Sequence, residues 1–141
     1  MFFGKKKTIL FSTECLSYYD WQTIALYNSI KTSNADSRVV RLLAWDNYDE
    51  TKDFTRQYVK TFVHENMRNS HLVLESDYPS YNKPFSIKTY LEVEEDDSEY
   101  FVIIDSDMIV RNYIDPSALG VKQGTVFSSE YEHLVGADNE F

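Results

Sequence analysis

Two carboxylates carry the most chemical information in this chain. Asp105 and Asp107 follow Tyr100-Phe101-Val102-Ile103-Ile104, the strongest apolar run in the sequence. In extended backbone, residues two apart project from the same face, and their Cα atoms lie roughly 6–7 Å apart. That gap suits one hard divalent cation, Mn²⁺ or Mg²⁺, held directly by one carboxylate and through a bound water by the other. Its remaining positions would go to water and a phosphate. Two unpaired like charges after five buried apolar residues would otherwise repel and lose hydration. A bare D-x-D triplet is common, and the same residues can simply close a strand and open a solvated turn. Context supplies the specificity.

Other chemistry-bearing residue types give less. His64, His71 and His133 show no close-ligand spacing, and His133, beside Glu130, Tyr131 and Glu132, reads as part of an exposed tail. Cys15 is the single cysteine, which excludes an internal disulfide and a Cys-rich zinc site and reads as a small buried hydrophobe.

The elements that must hold Asp105 and Asp107 alternate between strand and helix. Thr8 to Ser12 is a short apolar run bounded by polar residues, the mark of a strand buried on both faces. Asp20 is placed to cap a helix over Trp21–Lys31, with Ile24, Leu26, Tyr27 and Ile30 on its apolar face and Trp21 as a core ring. Arg38 to Trp45 reads as a second strand, and Tyr58–Val63 and His71–Glu75 as further extended segments. Pro84 opens a second helix that fades into the acidic stretch Glu92–Glu99. Tyr100 to Ile104 is the best buried strand, Met108–Val110 a continuation, Pro116–Gly120 a turn and Thr125–Ser128 a last short strand. Such alternation predicts an α/β fold, a mostly parallel sheet with helices on both faces. Ligands of these sheets bind beyond the carboxyl ends of the strands. Here those ends are Ser12-Thr13-Glu14, Asp46-Asn47 and Asp105-Ser106-Asp107.

A length of 141 residues favours one domain spanning 1–141. With 14 Lys and Arg against 23 Asp and Glu, the net charge of −9 argues against nucleic acid as a partner. Only Thr8–Phe11 follow the early lysines as an apolar run, too short for an export signal, and no stretch is long enough to span a membrane.

Further segments surround the D-x-D. Tyr19-Asp20-Trp21-Gln22, Arg41-Leu42-Leu43, Tyr81-Asn82-Lys83-Pro84-Phe85 with Leu91, and Glu99-Tyr100 through Asp107-Met108-Ile109 occur in this order. Together they resemble the peptidyl serine α-galactosyltransferase and hydroxyproline O-arabinosyltransferase family of GT-A-fold glycosyltransferases. The chain departs from the family at Lys83, where Arg is usual, at Glu14, often Asp, and at Tyr90, where Trp is expected. Lys keeps the charge but not the planar fork of Arg. Only 34 residues follow Asp107, so the resemblance covers the nucleotide-binding half, with the acceptor half missing.

The resemblance implies a Rossmann-like GT-A domain that binds a UDP-sugar across the strand ends. Asp107 would ligate Mn²⁺ or Mg²⁺, with Asp105 on the ribose or a metal-bound water. Ser12, Thr13, Glu14 and Ser106 would border the nucleotide-sugar, and Lys83, then Lys88, would approach the phosphates. The implied reaction moves the sugar to a hydroxyl of a protein or glycan acceptor, in the secretory pathway; no catalytic nucleophile stands out. Two alternatives are a non-catalytic nucleotide-sugar-binding remnant and a Mg²⁺-dependent phosphatase of the haloacid dehalogenase type. The phosphatase motif continues with a small residue and Thr, whereas Met108 and Ile109 follow here.

Overall fold

The computed structural model describes residues 6–68 and 79–128. Its regular elements are β1 (Lys7–Glu14), α1 (Ser17–Ser33), β2 (Arg38–Ala44), β3 (Lys60–His64), α2 (Asn82–Val93) and β4 (Tyr100–Ile104), with short 3₁₀ turns at Glu50–Lys52, Phe54–Gln57 and Pro79–Tyr81. The four strands form one sheet in the order β3-β2-β1-β4, every pairing parallel. This is the α/β architecture of a Rossmann-like domain, as the apolar, non-alternating strands predict.

The pleat sorts the core into two layers. Ile9 and Phe11 of β1 join Val39 and the α1 residues Leu26 and Ile30 on one face. Leu10 joins Val40, Leu42 and the α2 residue Tyr90 on the other. Successive strand residues point to opposite faces, so a strand between two helices must be apolar at every core position. Each fully buried Leu or Ile contributes about 1.5–3 kcal/mol. Both helices are therefore held by the sheet, and the middle of β1 lies between them.

Several boundaries differ from expectation. The first helix starts at Ser17, before Asp20, which lies in its first turn, where a carboxylate faces the positive end of the helix dipole. The second starts at Asn82, two residues before Pro84; first-turn N–H groups have no helical acceptor, so the proline is tolerated there. Met108–Val110 and Thr125–Ser128 form no strand. Cys15 is exposed, because β1 has ended and the chain is turning into α1. The expected strand over 71–75, with His71, and the residue His133 lie outside the described residues.

The largest correction concerns β4. Its apolar run reads as buried on both faces, yet among the described residues it is an edge strand, and Ile103 is 47% exposed. The register pairs Ile103 with Leu10, so it faces the α2 side, but α2 lies over β1, β2 and β3. Among the described residues no helix is long and apolar enough to cross a membrane.

The strand order creates one special place. From β1 the chain moves outward through β2 to β3, then returns to set β4 on the opposite side of β1. The strand order thus changes direction between β1 and β4, and ligands of open parallel sheets bind beyond the carboxyl ends of the strands at such a place.

Candidate functional site

A cleft of about 410 Å³ lies at that place. Ser12, Thr13 and Glu14 line it from the end of β1, Lys83 from the first turn of α2, and Asp105, Ser106 and Asp107 from the segment after β4. All seven residues expected at the site thus border one hollow. Asp46 does not: its carboxylate accepts the Asn66 N–H at 2.9 Å and ties down the segment after β3.

The D-x-D triplet is not extended. The strand stops at Ile104, and the triplet enters a turn in which the Met108 N–H donates to the Asp105 carbonyl at 3.3 Å. The same-face geometry of a strand therefore does not apply; a turn presents both carboxylates to the cleft instead. Ser106 turns inward and its hydroxyl donates to Gln22 Oε1 of α1 at 2.9 Å, with both residues buried. Asp105 is ion-paired with Lys83, each side chain about half exposed. Asp107 is exposed and has no hydrogen bond or ion pair among the described residues.

The opposite wall is held by a buried carboxylate. Glu14 is 7% exposed, and the Arg68 guanidinium reaches it through Nη2, 2.9 and 3.1 Å from its two oxygens, and through Nε at 3.2 Å. Such a fork compensates a charge that burial would otherwise penalise. Tyr19 also borders the cleft; burial first, and the Glu14 charge second, push its hydroxyl pKa up, so it stays a neutral donor. The Thr13 hydroxyl is buried with no hydrogen-bond partner among the described residues. A buried polar atom of this kind needs a partner from water or ligand.

Asn82, 2% exposed, organises the approach to α2. Its Oδ1 accepts the Met67 N–H at 2.8 Å and its amide donates to Asn66 at 3.1 Å, which fixes where Lys83 emerges. Lys88, one turn on, instead pairs with Glu92 at 2.7 Å and does not line the cleft. Trp21, expected as a core ring, is 59% exposed and packs edge-to-face on Tyr18. The helix begins a turn earlier than its apolar spacing implied, and Gln22 rather than Trp21 points inward. Gln22 and Asn82 are the positioning residues that residue-type reasoning undervalued. Their signal lay in their neighbours, Gln22 inside the Tyr19–Gln22 segment and Asn82 two residues before Pro84.

Asp105 and Asp107 are the residues of the cleft that could hold a hard divalent cation. Asp105 and Asp107 supply carboxylate oxygens beside open space, while no group of three or more His, Cys, Asp or Glu side chains gathers around a metal position among the described residues. Mg²⁺-type sites commonly take one or two carboxylates and complete their shell with water and substrate phosphate. The basic Lys83 stands beside them, ion-paired with Asp105.

An open, all-parallel sheet with a polar, oxygen-rich cleft at its switch point is the architecture of a Rossmann-like domain. No protein-family model matches the chain, and no solved structure does. It is similar to the peptidyl serine alpha-galactosyltransferase of Arabidopsis thaliana, 33% identical over 131 residues, which cover 93% of this chain and 16% of that protein. It is also similar to the protein of the same name from Chlamydomonas reinhardtii, 26% identical over 135 residues, 94% of this chain and 18% of that one. The chain therefore resembles the peptidyl serine α-galactosyltransferases along nearly its whole length, and spans less than a fifth of theirs.

Proposed function

We propose that this chain is the nucleotide-sugar-binding part of a GT-A-type glycosyltransferase, taking a UDP-sugar as donor and serving transfer to a hydroxyl of a protein or glycan. The observation that carries the reading is the convergence of the Asp105–Asp107 turn, Lys83 and the end of β1 on one cleft. The similarity to two enzymes named as galactosyltransferases supports it, as does the fit of the oxygen donors to a divalent cation.

In this reading Asp107, exposed and unpaired among the described residues, holds Mn²⁺ or Mg²⁺, with Asp105 as its neighbour. When bound, the cation supplies Lewis-acid stabilisation of charge on the departing diphosphate. Lys83 adds a second positive charge on the same side of the cleft. Ser12, Thr13 and Glu14 border the nucleoside. The resemblance also supports work in the secretory pathway.

Calorimetry with UDP and Mn²⁺ tests the reading. Binding should require the cation and fall at least tenfold in Asp107→Ala, the loss of one charge-assisted contact. Unchanged affinity in that variant removes the metal from the account. Release of sugar to a peptide hydroxyl separates transfer from binding alone, and hydrolysis of a phosphate ester abolished by Asp105→Asn would favour a phosphatase instead.

A further inference from the structure

A line of buried hydrogen bonds leads from the cleft into the core. Ser12 Oγ, at the cleft, lies 3.0 Å from Ser86 Oγ on α2. Ser86, fully buried, lies 2.6 Å from Nε2 of His64 and 2.5 Å from the Asn82 carbonyl. His64, 7% exposed at the end of β3, sets its Nδ1 2.8 Å from the Glu65 carbonyl oxygen. None of this is needed to hold the strands together, since β3 is already paired with β2 along its length.

The direction of each bond follows from what the groups can do. A carbonyl oxygen only accepts, so Nδ1 of His64 carries the hydrogen. Desolvation lowers the pKa of this ring, so it is neutral at pH 7 and its Nε2 is a bare acceptor. Ser86 has one hydroxyl hydrogen, which it directs inward, donating to the Asn82 carbonyl and sharing it with Nε2, both of them acceptors. Sending that hydrogen to Ser12 would leave a buried ring nitrogen without a donor, a costly outcome. Ser12 must therefore be the donor to Ser86. Its hydrogen points inward and its remaining lone pair is left for the cleft.

We propose that His64 and Ser86 are positioning residues that lock the Ser12 hydroxyl in this orientation, making Ser12 a fixed acceptor for an N–H or O–H group of the bound nucleotide-sugar. The proposal rests on the nucleotide-sugar reading above and adds to it a defined polarity. A free serine rotor donates or accepts as the ligand demands. A locked one recognises only a donor and spends no rotor entropy on binding. The three residues come from β1, α2 and β3, so the lock also ties a cleft contact to the α2 face of the sheet.

The test is a double-mutant cycle read by calorimetry with UDP and Mn²⁺ on the full chain, each variant first shown to be folded by circular dichroism. Ser12→Ala and Ser86→Ala should each weaken UDP by roughly three- to tenfold, the size of one hydrogen bond. The double variant should bind no more weakly than Ser12→Ala, because Ser86 acts through Ser12. His64→Leu should match Ser86→Ala, while His64→Gln, which restores a polar atom near the Nε2 position, should recover most of the affinity. Additive losses, an unchanged Ser86→Ala, or no rescue by His64→Gln would overturn the lock while leaving the nucleotide reading intact. Absence of UDP binding by the unaltered chain would overturn the nucleotide reading and the role of the lock together.

Discussion

The hydroxyl of Ser106 donates to Oε1 of Gln22 across 2.9 Å, joining the turn that carries both candidate metal-binding aspartates to the first helix. Turns are mobile by default, because few of their backbone groups are tied down. Here the middle residue of the triplet is 9% exposed and anchored, while Asp105 and Asp107 on either side reach outward. The serine between the acids is a mount for them.

Removing that mount has a predicted cost on two scales. Ser106→Ala strands the buried Gln22 carbonyl oxygen, so stability should fall by about 1–3 kcal/mol, seen in urea unfolding. Mn²⁺-dependent UDP affinity should fall with it, while Ser106→Thr, which keeps the hydroxyl, should retain most of both. A Ser106→Ala chain with native stability and native affinity would show that the turn holds itself.

Lys83 and Asp105 pair at the mouth of the cleft with side chains 43% and 48% exposed. An ion pair this wet contributes about 0–1 kcal/mol to stability. Lys83→Met should therefore barely change the melting temperature. Its effect should divide by ligand: Mn²⁺ alone binds more tightly because Asp105 is released, and UDP with Mn²⁺ binds less tightly because a phosphate counter-charge is gone. Calorimetry with each ligand reads the division. Both affinities moving in the same direction would contradict an electrostatic role for the pair.

Much of the fold is legible in the residues, for a physical reason. Strands of a covered parallel sheet must be apolar on both faces, so Ile9–Phe11 and Val39–Ala44 announce themselves, and polar residues directly after them mark the ligand edge. Ser12–Glu14 and Asp105–Asp107 followed from that rule, whereas Lys83 came from the family resemblance and Asp46-Asn47, marked by the same rule, lie outside the cleft. What stayed hidden depends on partners distant in sequence. Nothing local tells Trp21 from Gln22 as the inward residue, since that rests on where α1 begins. The burial of Ser86 and its contact with Nε2 of His64 join residues 22 apart along the chain. Nor does the composition of Tyr100–Ile104 reveal that one face lacks a helix among the described residues.

Asp96 predicts how the chain responds to acid. Its carboxylate accepts from the Tyr90 hydroxyl at 2.6 Å, Thr8 at 3.0 Å and Arg38 at 2.6 Å. Burial works against its charge, but the hydrogen bonds from Tyr90, Ser98 and Thr8 prevail and hold its pKa well below the usual carboxylate range. A depressed folded-state pKa means that the unfolded chain takes up the proton first, near pH 3.9. The stabilisation is thus fully present above about pH 5 and is lost as the pH falls below it. Asp96→Asn should cost about 3 kcal/mol at pH 7, and the gap to the unaltered chain should narrow towards pH 3. Urea unfolding at several pH values reads that gap; a constant difference would mean that packing, not charge, accounts for Asp96.

Ile103 and Leu10 are register partners on the α2 side of the sheet, yet one is 47% exposed and the other fully buried. Identical reasoning from composition would assign both the same weight. Burial assigns them different ones: Leu10→Ala opens a cavity between β1 and α2 and should cost about 2–5 kcal/mol, whereas Ile103→Thr, β-branched and half in water already, should cost less than about 1 kcal/mol. Equilibrium unfolding of the two variants decides it. If Ile103→Thr proved as damaging as Leu10→Ala, the outer face of β4 would have to be covered in solution, and the edge position of that strand would need to be reassigned.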